Sequence, residues 1–526
     1  MPQSLSTYDL VIVGGGLSGG LALIHLLDDL QASKTGSDWN PAAFRVAWLD
    51  GAADFGRGLA YGQAAHPKFL LNNDVSCMNV GNFHAWLSRN HSRWMAKLEQ
   101  EADPAVQTWL RRHRESLDAA IGQPDLYLPM FLPRCVFGMF LSDWLADSLD
   151  SARRLGITID LIAEEAIKAR RENGIVHIEM RQGRRLEACS LILALGSLPP
   201  DPDPVLQPAD GYVHESRMPD GGTALREMLR ARSRAKGGRC SMIILGSNAA
   251  AIESVYTIAH DVILSESLHD ICVISPSGRL PCAASLSQSF RPEHLSRLLT
   301  APEVSAEDLI SAALADSAQA EREGLTPAES GGAIIETFRK VFPRLSPEQK
   351  QEFVEQYGAR FTALSRHTPP DYADAVATLR QQGKLHNVAA EVLEVTAVDQ
   401  KFAVTLRRSI DGRPSETETL LADVVINCRG AGLLSRSDNP FLRSLLDPRE
   451  GVASINRSGQ GISVSSKFEA SPGVFVVGPL LAGHSEEPFH LWNLERAERI
   501  DSLARHAANI LAQRILFSRE PVAAGS

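Results

Sequence analysis

Residues 8–19 read Tyr8-Asp-Leu-Val-Ile-Val-Gly-Gly-Gly-Leu-Ser-Gly19, and the order of residue types in them decides the fold. Tyr8 to Val13 is a short, β-branched apolar run, the pattern of a strand buried on both faces of a sheet. Gly14, Gly16 and Gly19 follow in Gly-x-Gly-x-x-Gly spacing, and Leu21 to Leu27 continue as a helix. In a dinucleotide-binding turn the first glycine permits the tight turn, the second lets a diphosphate approach, and the third lets helix and strand pack closely. Ser18 belongs to the same turn. The anion then rests on free N–H groups at the positive end of the helix. This placement, between a buried strand and a helix, is what gives the glycine pattern its weight.

Working outward, Phe44 to Leu49 reads as the next strand and ends at Asp50, an acid placed to bind a ribose hydroxyl. It lies farther from Gly14 than the roughly 20 residues usual for the motif. The Ser-, Gly- and Asp-rich stretch from Gln31 to Pro41 accounts for the excess. A plain strand-end cap is the alternative role for Asp50.

A similar unit begins at Ser241-Met-Ile-Ile-Leu245 and turns through Gly246-Ser-Asn248-Ala-Ala-Ala251 into a helix over 252–259. Asn248 stands where the middle glycine is expected. Asparagine tolerates left-handed backbone better than most residues, but its side chain crowds the diphosphate. The preferred reading is a nicotinamide dinucleotide site bound by Gly246, Asn248 and Ala251; a Rossmann-like unit without ligand is the alternative. After the next strand, Asp270 to Ile274, no acid stands ready for a ribose diol, whereas Arg279 suits a 2′-phosphate and leans the choice from NADH to NADPH.

Leu191 to Gly196 is a further buried strand, stopped by Gly196 and by Pro199-Pro200, and residues 201–210 read as a linker. Two later runs, 422–428 and 473–477, return to the first unit, the second ending in Gly478-Pro479; an amphipathic helix covers about Asn493 to Arg514. The fold class is therefore α/β, with two Rossmann-like dinucleotide-binding domains. An NAD(P) domain, 201–370, is inserted into a discontinuous FAD domain formed by 1–200 and 371–526. A helical insertion occupies 283–365. There Ser346-Pro-Glu-Gln349 makes a capping-box start, and Phe353, Tyr357, Phe361 and Leu364 share one face.

Composition closes off other classes. Over 526 residues, 53 Lys and Arg face 63 Asp and Glu for a formal charge of −10, which disfavours nucleic acid. The cysteines at 77, 135, 189, 240, 272, 282 and 428 form no Cys-x-x-Cys pair and no zinc-ligand spacing, so neither a redox dithiol nor a metal is expected. The uncharged stretch from Leu10 to Leu27 is broken by glycines and lacks basic flanks, so a membrane span or signal peptide is not expected and the chain reads as cytoplasmic.

Several segments together resemble the bacterial FAD/NAD(P)-binding proteins related to N-hydroxylating and flavin-containing monooxygenases. They are Gly58-Leu-Ala-Tyr61 with Phe69-Leu-Leu-Asn72 and Met78, Phe131-Leu-Pro-Arg134 with Phe137-Gly-Met-Phe140, and Leu195-Gly-x-x-Pro199. Arg366-His367, Gly383-Lys-Leu385, Val425-Ile-Asn-Cys428, Asn439-Pro440, Leu445-Leu446 and Val477-Gly-Pro479 complete the set. The resemblance implies FAD on the first turn, with Asn72 near the isoalloxazine and Gly478 and Pro479 near the ribityl chain. It also implies hydride from NADPH or NADH and oxygen transfer to a small nucleophile, an amino acid or amine. Asn248, Ser275-Pro276 and the missing threonine near 196 depart from the family pattern, all on the reductive side.

The flavin carries the difficult chemistry, and the protein supplies orientation and a dry pocket. Asn72 and Asn73 are the uncharged donors suited to the reacting oxygen and stand as the catalytic candidates; for Asn73, bonding to loop backbone is equally apt. Arg134 and Arg366 suit a phosphate or a carboxylate, or else a surface ion pair. The loop His484 to His490 should border the flavin, as a solvated loop or as acid and base. The apolar face of the helical insertion reads first as core packing; covering the site and setting substrate size is the insertion's alternative role. Expected partners are a small-molecule substrate and molecular oxygen, with room left for a homo-oligomer. Competing readings are an FAD-dependent reductase without oxygen insertion and a flavin-binding protein without catalysis.

Overall fold

The computed structural model describes residues 6–33, 39–63, 65–201, 206, 210–214, 218, 220–285, 289–410, 413–490, 492–494 and 496–517. Its first sheet is built on Ser6–Val13, whose Leu10, Val11 and Ile12 are fully buried. Such an apolar run needs cover on both faces, which parallel strands with crossover helices supply. The parallel order is Val474–Val476, Arg185–Leu193, Ser6–Val13, Arg45–Leu49, Thr158–Ile162. The hairpin Ala166–Glu172 and Ile175–Met180 continues antiparallel from Arg185–Leu193. Leu17–Ala32 covers one face and packs against the carboxy-terminal helix Ala497–Phe517. Between these two helices His25 lies 2.6 Å from Asp501, both buried.

The second sheet repeats the logic. Cys240–Leu245 lies between Leu268–Ser275 and Val424–Asn427, all parallel, and Tyr212–Val213 extends the Val424–Asn427 edge. On the other side Leu385–Val398 joins parallel and then leads an antiparallel meander through Lys401–Ile410 and Arg413–Ala422. This corrects the expected boundary at 371. Val424–Asn427 pairs with Met242–Leu245, not with the first sheet, so the chain returns only after Asn427. Most of the linker at 201–210 and part of the 31–41 stretch lie outside the described residues, although the helix through Ala32 already accounts for some of the latter's length.

Asp423, at the start of that strand, ties three pieces of the second domain together. Its Oδ2 accepts from the Ser241 N–H at 2.7 Å, the Ser241 hydroxyl at 3.1 Å and the Lys236 ammonium at 2.7 Å. Burial alone would lift this carboxyl, but Lys236 and the Ser241 N–H outweigh it and hold it below 3.8. A depressed acid stabilises the fold at neutral pH, and that contribution is lost as pH falls through its folded value. Lys236 is partly exposed, so water screens its share. Asp423→Asn is expected to cost about 1 kcal/mol at pH 7. It should also flatten the decline in melting temperature below pH 4; an unchanged acid limb would refute the assignment.

The helical insertion has its own core of Leu295, Leu309, Ile334, Phe338, Phe342, Phe353 and Phe361. The capping box expected at Ser346 is half formed. Ser346 Oγ accepts the Gln349 N–H at 3.3 Å, while Gln349 Oε1 turns to the Ala306 N–H at 2.6 Å. The expected apolar face holds, but a π-turn at Phe353–Tyr357 interrupts the helix.

Candidate functional site

At the first turn Gly14 has φ +110°, donates its N–H to Leu49 O at 2.9 Å, and leaves no room for a β-carbon against the Ala194 carbonyl. Its own carbonyl accepts from Trp48 Nε1 at 2.9 Å. Asp50 closes the turn from the neighbouring strand, with Oδ2 on the Gly15 N–H at 2.7 Å and Oδ1 on the Ala52 N–H at 2.8 Å. Gly196 follows Ala194 at the end of the same crossing strand. Gly478, at φ +82° and ψ −155°, brings its backbone against Ser18, and Pro479 opens the short turn that follows. The structure thus gathers Gly14, Gly16, Ser18, Gly19, Asp50 and Gly478 around one helix start.

Gly16 differs from its neighbours. Its φ of −76° and ψ of −174° suit any residue, and a β-carbon there would meet only Gly58 Cα, at 3.8 Å. Neither backbone nor packing asks for glycine, so the space before the helix is open. No side chain caps the helix at Gly16. Open space in front of uncapped helix N–H groups suits an anion. The segment around Gly58-Leu-Ala-Tyr61, noted above only as a family-like stretch, flanks this space. Arg57 bridges to Gly16, and Gly56 N–H donates to Gly15 O at 2.7 Å. The glycines at 56 and 58, which permit this close approach, were the available signal.

The second turn copies the first. Gly246 has φ +99°, donates to Ile274 O at 2.7 Å, and sits against the Cys428 carbonyl as Gly14 does against Ala194. Asn248 takes the Gly16 position with φ −86° and ψ −169°, so its tolerance for left-handed backbone is not used. Instead its Oδ1 accepts the Ala251 N–H at 3.3 Å and caps the helix Ala249–His260. Arg279 is ion-paired with Glu321, which the helical insertion brings to it, while its side chain stays largely exposed.

Arg134 likewise leaves its expected role. Its Nε donates to Leu70 O at 2.9 Å, its Nη2 donates to Asn72 Oδ1 at 3.1 Å, and the same Nη2 is ion-paired with Glu253 of the second domain. Burial lifts the Glu253 carboxyl above its ordinary value, and Arg134 opposes that. Leu70 also donates its N–H to the Tyr372 hydroxyl at 2.7 Å. The guanidinium is therefore a joint between domains, not a cofactor anchor. Asn72 spends its oxygen on that joint, which leaves its amide N–H groups as donors. Asp74, rather than Asn73, holds the next turn, accepting the Cys77 N–H at 3.1 Å.

The loop after Gly478 is not a free solvated loop. His484 is buried with Nε2 2.8 Å from Ile462 O, and Ser485 donates to Gln351 Oε1 at 2.8 Å. Trp492 enters the core of the helical insertion, donating to Thr362 Oγ1 at 2.5 Å and lying where Gly358 has no side chain. Trp492→Ala is expected to cost about 3 kcal/mol, the low end for so large a truncation, because the ring is only partly buried. Limited proteolysis should then cut first within 283–365 while flavin content stays constant. Unchanged cutting and melting would show that the insertion is held elsewhere.

Residues 11–198 match a family model described as FAD-NAD(P)-binding. An uncharacterized protein of Mycobacterium tuberculosis is 29% identical over 534 residues, covering 98% of this chain and 97% of that one. The fold is that of flavin-dependent N-hydroxylating enzymes. An ornithine N-hydroxylase of Kutzneria sp. 744, solved with reduced FAD, NADP+ and L-ornithine, aligns with a TM-score of 0.54 at 14% identity, over 97% of this chain and 99% of its own. L-lysine 6-monooxygenase from Pseudomonas syringae aligns at 0.51 and 15%, over 97% and 100%. No helix among the described residues is long and apolar enough to cross a membrane.

Proposed function

We propose that this chain is an FAD-dependent, NAD(P)H-consuming monooxygenase, cytoplasmic, that transfers one oxygen atom to a small nucleophilic substrate, an amino acid or amine. The observation that carries the reading is the open cradle at Gly16 beside a second turn of the same backbone geometry, in a fold shared with N-hydroxylating enzymes. Bound FAD would accept hydride and activate oxygen. Gly14, Gly16, Ser18 and Gly19 would hold its diphosphate at the helix start, and Asp50 its ribose; Gly478 and Pro479 would flank the ribityl chain. Asn72, its carbonyl held by Arg134, would present N–H donors to the reacting oxygen. The clamp of Gln351, Ser485 and Trp492 draws the helical insertion over the loop at 483–492, which excludes water and limits substrate size.

The test is anaerobic addition of NADPH or NADH to the yellow protein, followed by oxygen and a panel of amino acids and amines with product masses recorded. Bleaching and a product heavier by one oxygen support the reading. Bleaching with hydrogen peroxide as the sole oxygen product, whatever amine is present, indicates a reductase. A flavin that neither coenzyme bleaches indicates binding without catalysis.

A further inference from the structure

The two glycine turns share one backbone and differ in what lies in front of their helices. At the first, the residue at the helix start carries no side chain, and the space before it holds no protein atom closer than Gly58 Cα. At the second, the Asn248 amide reaches into the corresponding space and takes the Ala251 N–H, one of the donors that a diphosphate on this helix would use. The far end of the amide lies toward Gly430. At Gly430, φ +100°, the only atom within 4 Å of an added β-carbon is Asn248 Nδ2, at 3.9 Å. The absent side chain at Gly430 thus leaves space next to the amide nitrogen. The helix spans Ala249–His260, long enough for its N-terminal N–H groups to attract an anion.

We infer that the Asn248 side chain is an internal occupant of the nicotinamide dinucleotide's diphosphate subsite, which the coenzyme must displace, so that this one residue sets a weak coenzyme affinity. The inference rests on the oxidoreductase reading above for the identity of the ligand. Its consequence is a coenzyme that is held loosely, because each binding event must break a hydrogen bond already made within the protein. Aspartate at 248 would keep the cap and add a charge that repels the diphosphate, and alanine would lose the acceptor but keep the β-carbon.

The test compares FAD-loaded wild type with Asn248→Gly, Asn248→Ala and Asn248→Asp. NADP+ and NAD+ dissociation constants are taken by titration calorimetry, and KM and kcat by flavin bleaching under anaerobic conditions. Asn248→Gly should lower the dissociation constant about tenfold, equivalent to 1.4 kcal/mol. Asn248→Ala should fall between it and wild type, and Asn248→Asp should weaken binding about tenfold. The change should appear in KM and not in kcat. A residue that merely caps its helix would instead lower the melting temperature of Asn248→Gly and leave coenzyme binding unmoved, and that result would overturn the inference while the oxidoreductase reading stands. Binding by Asn248→Gly alone, with none by wild type, would uphold the inference and remove NAD(P)H from the proposed function. Absence of binding in every variant would overturn both.

Discussion

Gly16→Asn should give a folded protein that leaves its purification without FAD. The backbone at Gly16 already has the angles that Asn248 adopts, and only Gly58 Cα approaches the new β-carbon. The amide should therefore turn onto the Gly19 N–H as Asn248 turns onto Ala251 N–H, capping the first helix. Asparagine is among the best residues at a helix start, so the apoprotein should melt no lower than wild-type apoprotein. The flavin loses both the N–H groups and the space, and about 100-fold weaker binding, roughly 2.8 kcal/mol, is expected. The flavin absorbance remaining after desalting, with far-ultraviolet dichroism as the control for folding, measures the effect. A full yellow complement on the variant would show that the diphosphate lies elsewhere.

Glu253→Ala is expected to destabilise the chain by about 3–5 kcal/mol, because it strands the buried Arg134 guanidinium without its counter-ion. The two side chains are 14% and 17% exposed, so water has little access to relieve the charge. The same change removes one of the restraints on the Phe69–Asn72 segment, since Arg134 also holds Leu70 O and Asn72 Oδ1. Replacing both partners, Arg134→Met with Glu253→Leu, should recover most of the loss, as apolar groups of similar size remove the uncompensated charge. Urea unfolding of both single variants and the double one forms the cycle. Single-variant losses below about 1 kcal/mol would mean that solvent reaches the pair after all.

Local sequence was sufficient for everything written in short-range order. The turns at Gly14 and Gly246 could be read because strand, glycine and helix follow one another within a few residues. The helical insertion was visible through its capping residues and its Phe353, Phe361 face. What escaped depends on distant partners. Val424–Asn427 is an apolar run that suits either parallel sheet, and only its pairing with Met242–Leu245 assigns it. Arg134 and Glu253 lie 119 positions apart, and Arg279 and Glu321 lie 42 apart; each arginine alone looks like a phosphate anchor. The backbone at Asn248 was legible in kind, but the rotation that places its oxygen on Ala251 is a side-chain choice that no spacing encodes. Glu486 and Glu487 belong to a loop whose neighbours, Ser485 and Trp492, are claimed by the insertion.

The two passages between the domains run side by side. Gly432 N–H donates to Pro199 O at 3.0 Å, the Leu433 N–H reaches Asp201 Oδ1 at 2.7 Å, and Arg436 pairs with Asp201. A chain that departs and re-enters through one doorway can be cut there. Joining the residues near 200 directly to those near 432 would span a gap already bridged by a hydrogen bond, although the buried Arg134 would then need a new partner in place of Glu253.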